Sequence, residues 1–287
     1  MSLYDSVTGG FAGLRVVVFE ARMAEVLGDL VVKHGGVPVA APALREVPIR
    51  ENAEVQMFIR GLKQDEFDVV LFETGVGVRY LVEAKETRFP LEDWPALLAR
   101  VSVIARGPKP ASALRSLGAI IDFQVPEPNT WRETLALIDA RIRIAGLRVA
   151  VQEYGKPNQE LLDGLSHRGA VVTRVPVYRW ALPGDTRPLR HAIQQILSGE
   201  IGAVLFTAAQ QVEHVLQVAN EDGCEASLRA ILGQSVVVGS IGPTTSSTLR
   251  DHGLPVDIEP EHPKSGHLVA AVADGWRRCG KAQPRIN

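Results

Sequence analysis

Hydrophobic positions in this chain fall into short continuous runs that are separated by longer stretches of mixed polarity. The runs at 16–19 and 236–238 are unbroken, which is typical of strands buried on both faces of a parallel sheet. Strands that alternate with amphipathic helices indicate parallel α/β sheets covered on both faces. The pattern predicts strands at 14–19, 37–42, 68–73, 101–105, 119–123, 147–152, 170–178, 202–206, 235–239 and 255–258, and helices at 22–34, 156–167, 208–219 and 243–252.

The same succession of residues occurs twice along the chain. The tetrapeptide Gly-Leu-Arg-Val at 13–16 returns at 146–149, and Val-Leu-Phe at 70–72 returns at 204–206. Gly-Pro at 107–108 returns at 242–243, followed in both copies by matching serine, leucine, arginine and glycine positions. The matches keep their order, and the offset between the two copies changes by only one residue at a time. The sequence therefore contains an internal duplication. Two five-stranded, doubly wound domains are the predicted architecture.

Composition indicates the general class of protein but does not indicate a function. The chain has 287 residues, of which 46% are hydrophobic and 22% charged, with a net charge of −2. Two domains with ordinary cores are expected, and general nucleic-acid binding is not. The two cysteines, Cys224 and Cys279, are too few for a disulfide framework or a metal cluster, which favours a cytoplasmic location. We expect no membrane span and no signal peptide, and disorder at 1–10 and 277–287.

Five loops that follow predicted strands are short, rich in small residues and lead directly into helices. Free N–H groups at helix N-termini bind anions, and three basic side chains add positive charge to two of these loops. Small residues also make ordinary turns and loop lysines are usually solvated, so one loop alone is weak evidence. Five of them favour an anion-binding cleft. The candidate contacts are Thr74, Gly75, Val76, Gly77, Arg106, Gly107, Lys109, Gly155, Lys156, Thr207, Ala208, Ile241, Gly242, Thr244 and Thr245.

Conventional catalytic and nucleotide-binding motifs are absent from the sequence. There is no GxxxxGK[ST] loop, no GxGxxG after a strand, no GxSxG and no HExxH. Tyr178 ends a long predicted strand in Val175-Pro176-Val177-Tyr178 and brings a phenol to its end. Packing and chemical roles for this tyrosine are equally compatible with the sequence.

Several blocks resemble the uroporphyrinogen-III synthase family along nearly the whole chain. The most specific is Ser-Ile-Gly-Pro-Thr-Thr at 240–245, followed by Leu-Arg at 249–250 and His-Gly-Leu at 252–254. Phe206-Thr207, Val177-Tyr178, Pro-Lys at 263–264 and Gly-His-Leu at 266–268 occur in the family's order. The segments 74–79 and 154–157 are similar to a bacterial subgroup.

The resemblance implies a fold and an activity. Family members have two similar flavodoxin-like α/β domains joined by a two-stranded ladder, so 1–43 with 182–287 would form one domain and 44–181 the other. The implied reaction closes hydroxymethylbilane, a linear tetrapyrrole with eight carboxylates, into uroporphyrinogen III. One ring is inverted, water is lost and no cofactor is required. The implied setting is a cytoplasmic monomer that receives its substrate from hydroxymethylbilane synthase.

The resemblance also implies roles for individual residues. Tyr178 would help the hydroxyl leave, as a hydrogen-bond donor or weak acid, and Thr244 with the N–H groups of 242–245 would bind carboxylates. Arg106, Lys109 and Lys156 would neutralise propionates. The chain departs from the family at Glu73-Thr74 and at 207–208, where many members carry Thr-Ser, so no serine role is carried over.

Two other functions remain open from the sequence. A non-catalytic binding module or sensor for an anionic small molecule is favoured by the missing serines and by the lack of a strong acid–base pair. A third interpretation is a regulatory domain of a longer chain, for which the basic tail at 277–287 is slight evidence.

Overall fold

The computed structural model of the chain describes residues 10–49, 53–83 and 93–281. Its described strands are β1 Arg15–Val18, β2 Val37–Ala40, β3 Arg45–Pro48, β4 Val69–Phe72, β5 Ser102–Ala105, β6 Phe123–Gln124, β7 Arg148–Gln152, β8 Val171–Val175, β9 Tyr178–Ala181, β10 Ala203–Phe206 and β11 Val237–Ser240. Its helices are α1 Ala24–Lys33, α2 Ala53–Lys63, α3 Gly75–Glu83, α4 Asp93–Leu98, α5 Pro108–Ser116, α6 Trp131–Arg141, α7 Gln159–His167, α8 Arg187–Leu197, α9 Ala209–Glu221, α10 Glu225–Gln234, α11 Pro243–Asp251 and α12 Ser265–Gly275, with a 3₁₀ turn at Trp276–Cys279.

The chain divides into two compact units. Unit 1 takes the described residues of Met1–Arg45 and Ala181–Asn287, and unit 2 is Glu46–Trp180. The chain passes from one unit to the other at β3 and at β9, and these two strands pair as a two-stranded sheet. We propose that the units are the two domains expected at 1–43 with 182–287 and at 44–181.

Unit 2 contains a parallel sheet in which, among the described residues, five strands lie in the order β6-β5-β4-β7-β8. The sheet is buried because its strands are apolar on both faces; all of β4 is buried, for example. Helices cover each face and create two separate hydrophobic clusters. The strand order reverses between β4 and β7. From β4 the chain adds β5 and β6 on one side, and from β7 it adds β8 on the other side.

Unit 1 repeats this plan with the order β11-β10-β1-β2 in the part of the chain that is described. Here too the sheet separates two apolar clusters. Helix α8 shows why the covering helices form: Leu189, Ala192, Ile193 and Ile196 are all buried, at the spacing of one helical face. The predicted α/β class, with two similar doubly wound parallel sheets and a two-stranded ladder, is confirmed.

The edge strands are shorter than predicted, for the same reason in both units. The prediction of strand 255–258 is wrong: this segment makes a single bridge between Gly239 and Ile258. The Asp257 carboxylate accepts the Val238 N–H at 2.7 Å, so a side chain replaces a main-chain acceptor of the ladder. Asp122 does the same for Val103 N–H at 2.7 Å, and β6 shrinks to two residues. The pairs are equivalent in the duplication.

Two further predictions are corrected by proline and by the C-terminal contacts. Strand 170–178 is two strands, because Pro176 lacks the N–H that a continuous ladder needs. The ladder strand β3 was not among the strands predicted from the hydropathy pattern, whereas the family resemblance implied the ladder itself. Disorder from 277 is wrong as far as residue 281, since Lys281 Nζ donates to the carbonyls of Leu232 and Val236 at 2.6 and 2.8 Å. The expected N-terminal leader lies almost wholly outside the described residues.

Candidate functional site

The register of the unit 2 sheet aligns three loops at one edge. Phe72 pairs with both Ala105 and Gln152, so the residues that follow them, Glu73 and Arg106 among them, leave the sheet at the same level. Ligands of open parallel sheets bind outside this carboxyl edge, at the point where the strand order reverses. The predicted contacts that lie along this edge are Thr74, Gly75, Val76, Gly77, Arg106, Gly107, Lys109, Gly155 and Lys156.

Two hydroxyl groups meet at the end of β4. Thr74 caps helix α3, because its Oγ1 accepts the N–H of Gly77 at 2.9 Å. The same oxygen lies 3.3 Å from the phenol oxygen of Tyr178, within hydrogen-bond distance. Either hydroxyl can donate the proton of this contact. The structure thus brings together two of the residues that the sequence indicated separately.

Tyr178 is a buried residue whose hydroxyl lies in a polar corner. Its side chain is 3% exposed and its ring packs against Tyr80, with centroids 5.7 Å apart. Burial raises the pKa of Tyr178 well above its usual value, and the hydrogen bond with Thr74 opposes this only in part. The phenol therefore keeps its proton more firmly than an exposed tyrosine does.

Two of the candidate glycines lie close to neighbouring side chains. A Cβ on Gly77 would lie 1.9 Å from the amide nitrogen of Gln152, which fills the space above the helix start. A Cβ on Gly155 would lie 2.5 Å from the ring of Trp180, and the φ of Gly155 is +71°. L-residues rarely adopt that conformation. These glycines fix the path of the loops at the carboxyl edge.

Arg106 belongs to a cluster that sequence reasoning missed. Its Nη1 lies 3.2 Å from Oε1 of Glu73, and its guanidinium lies over the Tyr154 ring, 4.7 Å from the centroid. Asn158 donates to the same carboxylate oxygen at 3.3 Å. Burial raises the pKa of Glu73 to about 7, against the opposing effect of Arg106, and burial raises the pKa of Tyr154 to about 12. The sequence signal was Glu73 itself, noted only as a departure from the family.

The other two basic candidates of unit 2 both reach solvent. Lys109 is exposed in the first turn of α5, and Lys156 is partly exposed beside Gly155. Gly107 is buried against the Asn129 side chain, where a Cβ would meet it at 3.0 Å. Lys109 follows β5 and Lys156 follows β7, so both lie at the carboxyl edge of the sheet.

In unit 1 the equivalent edge carries hydroxyl and amide groups together with the carboxylate of Glu20. Thr207 follows β10, and its Oγ1 donates to the carboxylate of Glu20 at 2.7 Å. Ala208 precedes α9 and has no capping side chain. Gln211 replaces the cap, since its Oε1 accepts the N–H groups of Thr207 and Ala208 at 2.8 and 3.3 Å. These N–H groups are therefore occupied in this structure, which the sequence did not reveal.

The loop from 240 to 245 leads into α11. Gly242 precedes the first turn, and Thr244 is exposed there, while Ile241 is partly buried and Thr245 is buried. Below the loop, the Ser246 hydroxyl lies 2.8 Å from Ser240 Oγ and also contacts the Glu259 carboxylate. This network holds the start of the helix, and only Thr244 turns a hydroxyl-bearing residue to the surface of the loop.

The described part of the chain offers neither a metal cluster nor a helix suited to a membrane. Among residues 10–49, 53–83 and 93–281, no group of three or more histidine, cysteine, aspartate or glutamate side chains is arranged to hold a metal ion. None of the described helices is long and apolar enough to cross a membrane.

Comparisons with known proteins agree on one family. The model of uroporphyrinogen-III synthase HemD matches residues 25–270. A Bacillus subtilis (strain 168) protein named "Uncharacterized protein YjjA" is 26% identical over 264 residues, 92% of this chain and 96% of that protein. A Methanothermobacter thermautotrophicus protein named "Putative uroporphyrinogen-III synthase" is 29% identical over 253 residues, 88% of this chain and 94% of its own.

A solved structure extends the agreement to the fold. The crystal structure of a mutant uroporphyrinogen III synthase from the extremely thermophilic bacterium Thermus thermophilus is 28% identical to this chain and has a TM-score of 0.67. The match covers 93% of this chain and 98% of that one. The family match, which spans most of the sequence, decides the assignment, and this chain belongs to the uroporphyrinogen-III synthase family.

Proposed function

We propose that this chain is an active uroporphyrinogen-III synthase, which converts hydroxymethylbilane into uroporphyrinogen III. The observation that carries the proposal is the family match over residues 25–270. The carboxyl edge of unit 2 supports it, because a neutral hydroxyl pair and a guanidinium lie there together. Such an edge suits a substrate with many carboxylates and one departing hydroxyl.

The reaction needs no oxidant or reductant. The terminal hydroxymethyl group takes up one proton and loses its hydroxyl as water, which leaves an electron-poor azafulvenium cation. The substituted carbon of the far ring attacks it and forms a spiro-pyrrolenine. That intermediate breaks one bond, recombines with the ring inverted and loses a proton, so the atoms balance. The pyrrole nitrogens supply the electrons for each step.

Tyr178 is the proposed donor to the departing hydroxyl. Its phenol is neutral at working pH because burial raises its pKa, and Thr74 orients it from 3.3 Å. A hydrogen bond to the leaving oxygen lowers the barrier without a full proton transfer from the protein. We expect the larger share of catalysis to come from holding the two chain ends in one geometry.

The carboxylates of the substrate are the proposed ligands of the loops. Arg106, Lys109 and Lys156 neutralise propionates in unit 2, and a guanidinium binds a carboxylate with two parallel N–H donors. In unit 1, Thr244 and the N–H groups of the loop at 242–245 are the proposed contacts, at the positive end of α11. Thr207 and Ala208 are further proposed contacts in unit 1.

Isomer analysis tests this function. The uncatalysed reaction closes hydroxymethylbilane without inversion to the type I isomer, so type III product is the signature of catalysis. The purified protein is incubated with hydroxymethylbilane, the products are oxidised and the porphyrin isomers are separated. Heat-inactivated protein is the control. Type III in excess supports the proposal, and type I alone rules it out.

The binding module is the weaker alternative, because family membership favours an enzyme. Handover from hydroxymethylbilane synthase, a monomeric state and a cytoplasmic location stay predictions.

A further inference from the structure

A buried carboxylate stands directly behind the guanidinium of Arg106. The Glu73 side chain is fully buried, whereas the Arg106 side chain is 22% exposed. Oε1 of Glu73 accepts from Arg106 at 3.2 Å and from Asn158 at 3.3 Å. The second oxygen, Oε2, is buried and finds no hydrogen-bond partner among the described residues. Arg106 thus reaches from a buried anion to the surface of the carboxyl edge.

The groups around Glu73 leave Arg106 as the cation that pairs with it. From the end of β7 comes Glu153, a second buried carboxylate, which is satisfied by Arg174 at 2.5 and 3.2 Å. The negative charge of Glu153 repels that of Glu73 and raises the pKa of Glu73 further. The Tyr154 ring lies under the guanidinium of Arg106. These neighbours hold the guanidinium in place but do not stabilise a negative charge on Glu73.

The remaining neighbours of Glu73 are neutral. Asn158 caps helix α7 by accepting the N–H of Leu161 at 3.3 Å, which fixes the amide that faces the carboxylate. Tyr178 lies behind Thr74 at the start of β9 and keeps its proton because burial raises its pKa. The protonation state of Glu73 consequently depends on whether Arg106 also binds a second anion.

We propose that Glu73 is a positioning residue that holds Arg106 in the free protein and takes up one proton from solvent when a substrate carboxylate binds to that guanidinium. The inference rests on the proposed function, which supplies the carboxylate. A second anion beside Arg106 repels the buried one, and the neutral acid relieves that repulsion. Protonation also gives the unpaired oxygen a neutral, less costly form in its buried position.

The proton uptake falls in an accessible pH range. Burial, opposed by Arg106, raises the pKa of Glu73 to about 7 in the free protein. Binding of a carboxylate raises it further, so the bound state holds a proton that the free state at pH 8 lacks. Substrate affinity must then fall as pH rises above 7, by up to roughly ten-fold per pH unit for one proton.

The experiment measures KM for hydroxymethylbilane between about pH 6.5 and 8.5 by quantifying type III product. In the wild type, KM rises by roughly ten-fold or more across that range. Glu73→Gln carries a neutral amide in place of the acid, so its KM stays low and flat. Glu153→Gln removes the other buried carboxylate of the same edge and is the matched control. It keeps a pH slope, which begins at a lower pH because the like charge beside Glu73 is gone.

A second variant covers the case in which Glu73→Gln does not fold. In Arg106→Gln the buried Glu73 stays protonated without its cation, so KM is high at every pH but has no slope. A flat wild-type profile overturns the proposal, and so does a wild-type slope that persists in either Glu73→Gln or Arg106→Gln. Absence of type III product in every sample would instead contradict the proposed function.

Discussion

Replacing Glu73 by glutamine is expected to change how the stability of unit 2 depends on pH. The carboxyl group is fully buried, and burial raises its pKa from 4.5 to about 7. The folded protein therefore binds a proton at Glu73 more tightly than the unfolded chain does. A group of this kind contributes most to stability below its unfolded pKa, and that contribution is lost as pH rises through the folded pKa.

The size of the effect follows from the shift. A difference of about 2.5 pKa units corresponds to about 3 kcal/mol of unfolding free energy, at roughly 1.4 kcal/mol per unit. The wild type loses this amount between about pH 4.5 and pH 8. Glu73→Gln has no proton to lose, so its stability relative to wild type rises by about 3 kcal/mol over the same interval.

Denaturant unfolding followed by tryptophan fluorescence measures this difference. A Trp276→Phe background removes the tryptophan of unit 1 and leaves Trp94, Trp131 and Trp180, which all belong to unit 2. Glu54→Gln, an exposed substitution in the same unit, removes the same charge and is the matched control. A difference between Glu73→Gln and wild type that is constant from about pH 5 to pH 8 would refute the reasoning.

Three further changes have expected results. Gly155→Ala places a Cβ 2.5 Å from the Trp180 ring at a φ of +71°. It should lower the free energy of unfolding in denaturant by about 1–3 kcal/mol. Gly184→Ala is the control, because Gly184 has open space around it, and it should leave that free energy unchanged. Tyr178→Phe should lower kcat for type III product by roughly ten- to hundred-fold with an unchanged circular dichroism spectrum, and complete loss would mean that positioning counts for less than proposed. Lys281→Met leaves two buried carbonyl partners unsatisfied and should cost about 1–3 kcal/mol in thermal unfolding; an unchanged melting temperature would contradict this.

Much of the fold was predictable because burial controls the sequence pattern. Strands such as β4 and β10 are buried on both faces and read as continuous apolar runs. The edge strands were not predictable in the same way, since Asp122 and Asp257 cap the ladder through their side chains. A hydropathy pattern shows an aspartate as a polar position, and it does not show that the carboxylate accepts a strand N–H.

The candidate site was predictable in its loops and less so in its chemistry. Parallel strands place the residues that follow them at one edge, which located Thr74 and Arg106 without any structure. The pairing of Arg106 with Glu73 depends on the register between β4 and β5, and the cap on Ala208 depends on a side chain that folds back from Gln211. Such contacts are set by three-dimensional proximity, so local sequence patterns do not report them.

The most direct test of the central claim is the isomer ratio as a function of protein concentration. Catalysed closure with inversion competes with spontaneous closure of hydroxymethylbilane, so the type III fraction should rise from near zero to nearly all product as the protein is titrated in, and Tyr178→Phe should shift that rise to higher concentration. A product that stays type I at every concentration of folded protein would contradict the account.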